Sequence, residues 1–389
     1  MTFTGLMIVC AVAFAAPLLL GFVPRVRLPA IVLEILAGIA IGPAGLGWVT
    51  LDEPIRVLSM LGLTLLLFLA GLELDIGLLG GRRLNITIAA FAVTIVVAYA
   101  IAAALRAAGM VESALLVAIC LSATALGIIV PVLKDAGESA SPFGQLIIAA
   151  SSIADFGTVL MLSLLFSSEP TPVAVKLVLL GGFGVLIASV VVAIKGAERL
   201  QPLQAVLLRL QDSTSQIRIR GAFLLMVALA ALAARLGLEV ILGAFVAGGL
   251  LAVLDRDYAR THPKFREKLE AVGFGVFIPV FFVASGLRFD ANALFAGPGT
   301  VARVPIFLGA LLLARGLPAL LYRPLVGSRR VLPAALLQAT SLPFIVATTT
   351  IGLELHALTA PNASALIAAG LLSVVIFPMA ALALLRAHA

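Results

Sequence analysis

Two charged residues stand where a bilayer-spanning chain would least tolerate them. Asp155 lies at the centre of the apolar run 142–166, and Arg315 lies near the centre of LLLARGLPALL. Other charges fall within a turn or two of a break in the apolar pattern, where a long side chain reaches water. A charge at mid-bilayer costs at least about 2.5–3.5 kcal/mol on insertion scales, so each of the two is expected to have a function or a partner. Ser151 and Ser152 precede Asp155 by four and three residues and Thr158 follows it by three, which puts all of them on one helix face. Thr124, from a second polar segment, is a further oxygen donor for the same place. One carboxylate among hydroxyls suits a small dehydrated alkali cation or a proton better than a transition metal. A protonated structural Asp bonded to a neighbouring helix is the other reading. Arg315 cannot readily lose its proton; it reads either as a fixed cation that tunes the site or holds a moving bundle in register, or as a structural ion pair or carbonyl clamp. Glu34 reads as structural and Glu239 and Glu354 as interfacial.

Enzymatic chemistry has little material to work with. His262, His356 and His388 fall in loops or at the terminus, and neither H-E-x-x-H nor G-x-x-x-x-G-K-[ST] is present. Cys10 and Cys120 both lie in apolar runs, which leaves nothing for a disulfide framework or a thiolate metal site. No enzyme activity and no cofactor are expected.

The elements that must carry these residues follow from composition. Of 389 residues, 62% are hydrophobic, against 26 Lys and Arg and 19 Asp and Glu, and the mean hydropathy is +1.21. Apolar runs long enough to cross about 30 Å of hydrocarbon recur along the whole chain, which describes an all-α polytopic membrane protein. The net charge of +7 is scattered through short loops, so nucleic acid is not expected as a partner. About thirteen spans are predicted, near 4–23, 29–47, 57–75, 85–106, 112–133, 142–166, 171–195, 219–236, 239–255, 270–287, 299–322, 331–353 and 361–385. The first lacks the basic start of a signal peptide and is read as a retained helix. With this count only Arg56, Arg106, Arg235, Arg288 and Arg303 sort to one side, nineteen other Lys and Arg sort to the opposite side, and Lys176 and Arg315 are left within spans. The positive-inside rule then predicts an external N-terminus and a cytoplasmic C-terminus. Arg199, Arg209, Arg218 and Arg220, interleaved with Leu, Val and Ile over 196–220, read as a solvated linker or an amphipathic stretch on anionic lipid.

Two short segments recur at nearly constant spacing, 215 residues between Asp75 and Asp290 and 216 between Leu121 and Leu337. FLAGLELD (68–75) matches FVASGLRFD (282–290), and LSATALG (121–127) matches LQATSLP (337–343). The offset moves each element seven spans, an odd number, so the halves must be inverted relative to each other. Inverted repeats are a common transporter plan, with the binding site at midplane where discontinuous helices meet. Spans five and twelve, with Ser122, Ala123 and Thr124 in one and Gln338, Thr340 and Ser341 in the other, are the candidate broken helices, and Pro131 and Pro343 favour interruption. Hydroxyls that only bond back to their own helix or glue neighbours are the alternative.

These residues also carry a resemblance. PAIVLEILAGIAIGPAGLG (29–47), LGLTLLLFLAGLELD (61–75), LSATALGIIVPVLKDAG (121–137), LGAFVAGGLLA (242–252) and FIPVFFVASGLRFD (277–290) resemble the bacterial monovalent cation:proton antiporter family, which includes sodium/proton exchangers and potassium efflux systems. The resemblance implies a homodimer in the inner membrane, two crossed discontinuous helices, and a mobile core that moves as an elevator against a dimerisation scaffold. Scaffold helices fall in 1–80 and 219–290, core helices in 85–166 and 299–386, and a linker in 167–218. It implies Na+ or K+ and H+ as transported partners, with Asp155 binding both in competition and Arg315 matching the basic residue of the opposite half. Electrogenic members carry two adjacent acids, whereas Ala154 stands before Asp155 here, so electroneutral 1:1 exchange is expected. Gated potassium efflux members continue into a nucleotide-binding domain; this chain ends at Ala389, so such gating is expected to be absent. A sodium-coupled organic-solute symporter of the same inverted-repeat plan is the alternative. Three Tyr and one Trp offer it little for a solute pocket.

Overall fold

A computed structural model describes residues 3–22, 29–73, 81–166, 173–198, 216–254, 264–295 and 297–387. Among them every regular element is helical. In chain order they are α1 (Thr4–Phe22), α2 (Ala30–Ile41), α3 (Glu53–Leu72), α4 (Gly81–Ala107), α5 (Ala114–Ser122), α6 (Leu126–Asp135), α7 (Pro142–Leu165), α8 (Val173–Glu198), α9 (Ile217–Arg235), α10 (Val240–Leu254), α11 (Lys264–Val272), α12 (Ile278–Leu287), α13 (Ala291–Phe295), α14 (Pro298–Gly316), α15 (Arg323–Val326), α16 (Val331–Gln338), α17 (Pro343–Glu354) and α18 (Ala360–Ala387). A π-helical turn, Gly273–Phe277, joins α11 to α12, and a 3-10 stretch, Leu317–Tyr322, continues α14.

Among the described residues nine helical stretches are long and apolar enough to span a membrane, and four shorter apolar helices accompany them, each falling on one of the thirteen predicted spans. The chain is a multi-pass membrane protein. Two boundaries differ from expectation. Span two is helical only over Ala30–Ile41, because the chain turns back through Gly42 to Gly47, where Leu46 N–H bonds to Ala40 O and Gly47 takes a φ of +67°. Span ten starts earlier, at Lys264, since its first turns are a cationic amphipathic segment that apolar counting leaves out. Arg25, Arg27, Asp75, Arg199, Arg209, His262 and His388 lie outside the described residues.

Two compact units emerge, one of residues 1–60, 75–158 and 279–389, the other of residues 61–74 and 159–278. Each holds one copy of an equivalent contact. In the first, a Cβ added at Gly286 would sit 2.2 Å from Ile35 O, and one at Gly38 would sit 2.2 Å from Val283 O, so α2 and α12 touch backbone to backbone. In the second, a Cβ at Gly71 would sit 2.0 Å from Phe245 O and one at Gly248 would sit 1.9 Å from Phe68 O, which joins α3 to α10 in the same way. Gly71 and Gly286 are equivalent positions of the repeated FLAGLELD and FVASGLRFD segments. In lipid, where apolar burial between helices gains little over burial in acyl chains, such close approach supplies the packing that holds helices together.

Both predicted interruptions are present. α5 begins at Ser113, whose hydroxyl caps Leu116 N–H at 3.3 Å, and ends at Ser122; Ala123 is extended, with φ −73° and ψ 156°. The break lies upstream of Pro131, which sits inside α6, so that proline does not cause it. The second break separates Gln338 from Pro343, and here proline is the cause: it excludes helical geometry from the preceding Leu342, found at φ −146° and ψ −54°. The two breaks meet. Ala125 N–H bonds to Thr340 O at 2.9 Å and Thr124 Oγ1 donates to Gln338 O at 3.3 Å, so each break satisfies backbone groups of the other that a buried coil would leave unpaired. Ile129, Phe143, Ile147, Leu337 and Phe377 belong to one buried apolar cluster that includes residues of α6, α7 and α16.

Two polar clasps tie the ends of the broken helices. Thr359 Oγ1 and Asn362 Nδ2 donate to Glu112, just before α5, and Arg303 donates to Asn362 Oδ1 at 2.7 Å. Arg330, just before α16, pairs with Glu138, just after α6, at 3.2 Å and lies over the Phe143 ring.

Candidate ion site

Asp155 lies at the middle of α7 and is 2% exposed, with Ser151, Ser152 and Thr158 buried on the same face. The arrangement around it is built by Arg315, also buried, at the end of α14. Its guanidinium donates to Gln338 O at 3.2 Å, to Thr94 Oγ1 at 3.3 Å, and to both Thr124 Oγ1 and Gln338 Oε1. These acceptors are neutral oxygens, from α4, from the first break and from the last residue of α16. Five N–H donors in a fixed fork make Arg the side chain able to hold three segments at once. Asp155 lies within electrostatic reach of it.

Gln338 passes the connection on. Its Nε2 donates to Ile147 O and to Ser151 Oγ, both at 3.1 Å, about two turns and one turn before Asp155. Arg315, Thr124, Gln338 and Ser151 therefore form one hydrogen-bonded chain ending on the helix face that carries the carboxylate. Thr124 both accepts from Arg315 and donates to Gln338 O, leaving its oxygen one lone pair.

The remaining sequence candidates are placed as follows. Ser152 donates to Ile148 O, Ser122 to Ala118 O and Thr340 to Leu336 O, all bonds to their own helices. Ala123 is fully buried in the first break. Ser341 is anchored through its backbone, its N–H on Ser373 Oγ and its carbonyl accepting from the same hydroxyl. The hydroxyl oxygens of Ser341 and Thr158 are buried without a hydrogen-bond partner among the described residues, so both have capacity for a ligand. Glu34 is buried in α2. Sequence reasoning missed Thr94 and Ser373. Nothing marks either in the chain: each is one hydroxyl in a long apolar run, and its partners are remote in sequence. Among the described residues no group of three or more His, Cys, Asp or Glu is placed to hold a metal ion.

The transmembrane sodium/hydrogen exchanger family model matches residues 10–387. The chain belongs to that family. A putative Na+/H+ antiporter of Bacillus subtilis, YjbQ, is 31% identical over 96% of this chain, and the match covers 62% of that protein's length. The Na+/H+-K+ antiporter GerN of Bacillus cereus is 27% identical over 69% of this chain and 68% of its own length. Among solved structures, the sodium proton antiporter MjNhaP1 of Methanocaldococcus jannaschii superposes with a TM-score of 0.68 over 98% of this chain and 97% of that chain, at 17% identity. The likeness establishes the same all-helical fold.

Proposed function

We propose that this exchanger carries a monovalent cation, Na+ or K+, against H+, with Asp155 as the carrier the two ions share. One observation bears the weight: the Asp155 carboxylate, buried at mid-helix on a face of hydroxyls, next to the Gln338 bridge from the contact of two broken helices. The names of the B. subtilis and B. cereus relatives agree with this chemistry.

The mechanism follows from charge. When Asp155 faces one side as a carboxylate, either a proton or a partly dehydrated alkali cation neutralises it, the cation drawing on oxygens of Ser151, Ser152, Thr124 and Thr158. Crossing the membrane with an uncompensated carboxylate is costly, so the site reorients only when loaded. Loading with H+ on one side and M+ on the other is antiport. With Ala154 beside it, Asp155 exchanges one positive charge for one, which makes turnover electroneutral. Arg315 keeps the junction at constant charge throughout, because it does not titrate. Core helices within 85–166 and 299–386 shift as an elevator against a scaffold drawn from 1–80 and 219–290, two copies of which form the dimer. The N-terminus lies outside and the C-terminus in the bacterial cytoplasm.

In energised inverted vesicles with a pH-sensitive dye, addition of NaCl or KCl is expected to dequench the signal, while choline chloride leaves it unchanged. Indifference to Na+, K+ and Li+ alike contradicts the proposal.

A further inference from the structure

The repeat places Gln338 opposite Ser122: in LSATALG and LQATSLP they are the second residues. The two behave differently. Ser122 Oγ donates to Ala118 O at 2.7 Å, within its own helix, and does no more. Gln338, two bonds longer and carrying an amide, leaves its helix and joins Arg315 on one side to the 147–151 turn of α7 on the other. The next hydroxyls diverge likewise, since Thr340 bonds back to Leu336 O whereas Thr124 bridges Arg315 and Gln338. The symmetric frame thus becomes asymmetric at two equivalent positions of the breaks, Ser122 against Gln338 and Thr124 against Thr340, and it does so where one half contributes a carboxylate and the other a fixed cation.

The amide cannot be turned round without loss. Its Oε1 faces a guanidinium, which only donates, and its Nε2 faces a backbone carbonyl and a hydroxyl oxygen. Reversed, donor would oppose donor and carbonyl would oppose carbonyl. Ile147 O is already the helical acceptor for Ser151 N–H, so the second donor from Gln338 clamps that turn from outside. Asp155 is the next residue along the same face, four positions on.

Building on the proposed ion site, we propose that Gln338 is the positioning residue that sets the cation-binding face of α7: it ties Ser151 to Arg315, and thereby fixes the oxygens that meet the ion at Asp155. Gln338 itself does not touch the ion. Its removal acts on how well the cation is bound and leaves the reorientation of the loaded core largely alone.

The test compares Gln338→Met, which keeps length and removes both polar ends, with Gln338→Glu, which keeps an acceptor for Arg315 and loses the donors to Ile147 and Ser151. Ser285→Ala, which deletes a buried hydroxyl bonded to its own helix at Phe281 O, is the control. In proteoliposomes both Gln338 variants are expected to raise the apparent cation KM by about tenfold, with Vmax within about twofold of wild type and Ser285→Ala unchanged. Independently of transport, hydrogen exchange in detergent is expected to be about tenfold faster over residues 147–155 in both variants. Should Gln338→Met fail to fold, the Glu variant, held by its ion pair to Arg315, gives the same readings. An unchanged KM with unchanged exchange overturns the proposal, and so does a fall in Vmax at constant KM, the mark of a merely structural residue. A wild type inert toward alkali cations overturns the ion-exchange reading instead; faster exchange at 147–155 then still supports positioning of α7 by Gln338, and unchanged exchange overturns that as well.

Discussion

Burying a carboxylate and a guanidinium in a membrane core is costly, and the structure shows how the second is accommodated: Arg315 donates to neutral oxygens of Thr94, Thr124 and Gln338, which lie on three separate segments. Lys cannot reproduce this, since an ammonium is a point donor that does not span acceptors on α4, the first break and α16 together. Arg315→Lys is therefore expected to lose about 2 kcal/mol of stability, seen as a lower unfolding midpoint in detergent, because buried oxygens are left unpaired. An unaltered midpoint shows that the clamp does not hold the junction. The burial of both charges was legible from their places at the centres of apolar runs. Their partners were not: Thr94 and Thr124 lie 221 and 191 residues from Arg315, and no local spacing records such contacts.

The thirteen apolar helical stretches could be read from hydropathy because apolar runs are broken by charged or Pro/Gly-rich loops, and the second break because Pro343 disfavours helix before it. The first break carried no such signal. Ala123 to Ala125 hold no proline or glycine, and the coil there is stabilised by what it meets, the carbonyls of Thr340 and Gln338. Span two was overextended because Gly and Pro in 42–47 are apolar enough to pass as membrane helix while the backbone turns. The glycine contacts could be located as repeated motifs, though not paired. Gly71→Ala and Gly286→Ala are each expected to destabilise by about 1–3 kcal/mol, since a methyl group cannot sit 2.0–2.2 Å from a carbonyl without parting the helices; unfolding midpoints in detergent check this, and a neutral result at both positions contradicts the backbone-to-backbone packing. The clasp before α5 predicts a pH dependence. Burial pushes the Glu112 carboxyl up, but bonds from Asn362 and Thr359 more than offset it and hold its pKa below the ordinary 4.5. A depressed folded pKa means stability that is present above about pH 4.5 and is lost as pH falls through the lower folded value. Wild type is expected to lose unfolding temperature in that acid range more steeply than Glu112→Gln; parallel pH profiles rule out the clasp as the source.

For the molecule as a whole, the frame is pseudo-symmetric and the charges are not. Each half carries one helix break, and each glycine contact joins a helix of one half to a helix of the other, yet Asp155 belongs to one half and Arg315 to the other, so the repeat positions a site that it does not itself encode. The repeat was readable as a shared offset, whereas the charged pair had to be found residue by residue. Because Ala154 leaves one titrating carboxylate at the proposed carrier, turnover in proteoliposomes is expected to be indifferent to a membrane potential imposed with an ionophore; acceleration or arrest by that potential contradicts 1:1 exchange. The most direct test of Asp155 as the shared carrier is dequenching of a pH-sensitive dye in energised vesicles on addition of NaCl or KCl, with wild type beside Asp155→Asn at matched expression. Wild type is expected to respond to at least one of the two salts and Asp155→Asn to neither. A variant that still exchanges protons for the cation at the wild-type rate contradicts the assignment and moves the carrier elsewhere in the chain.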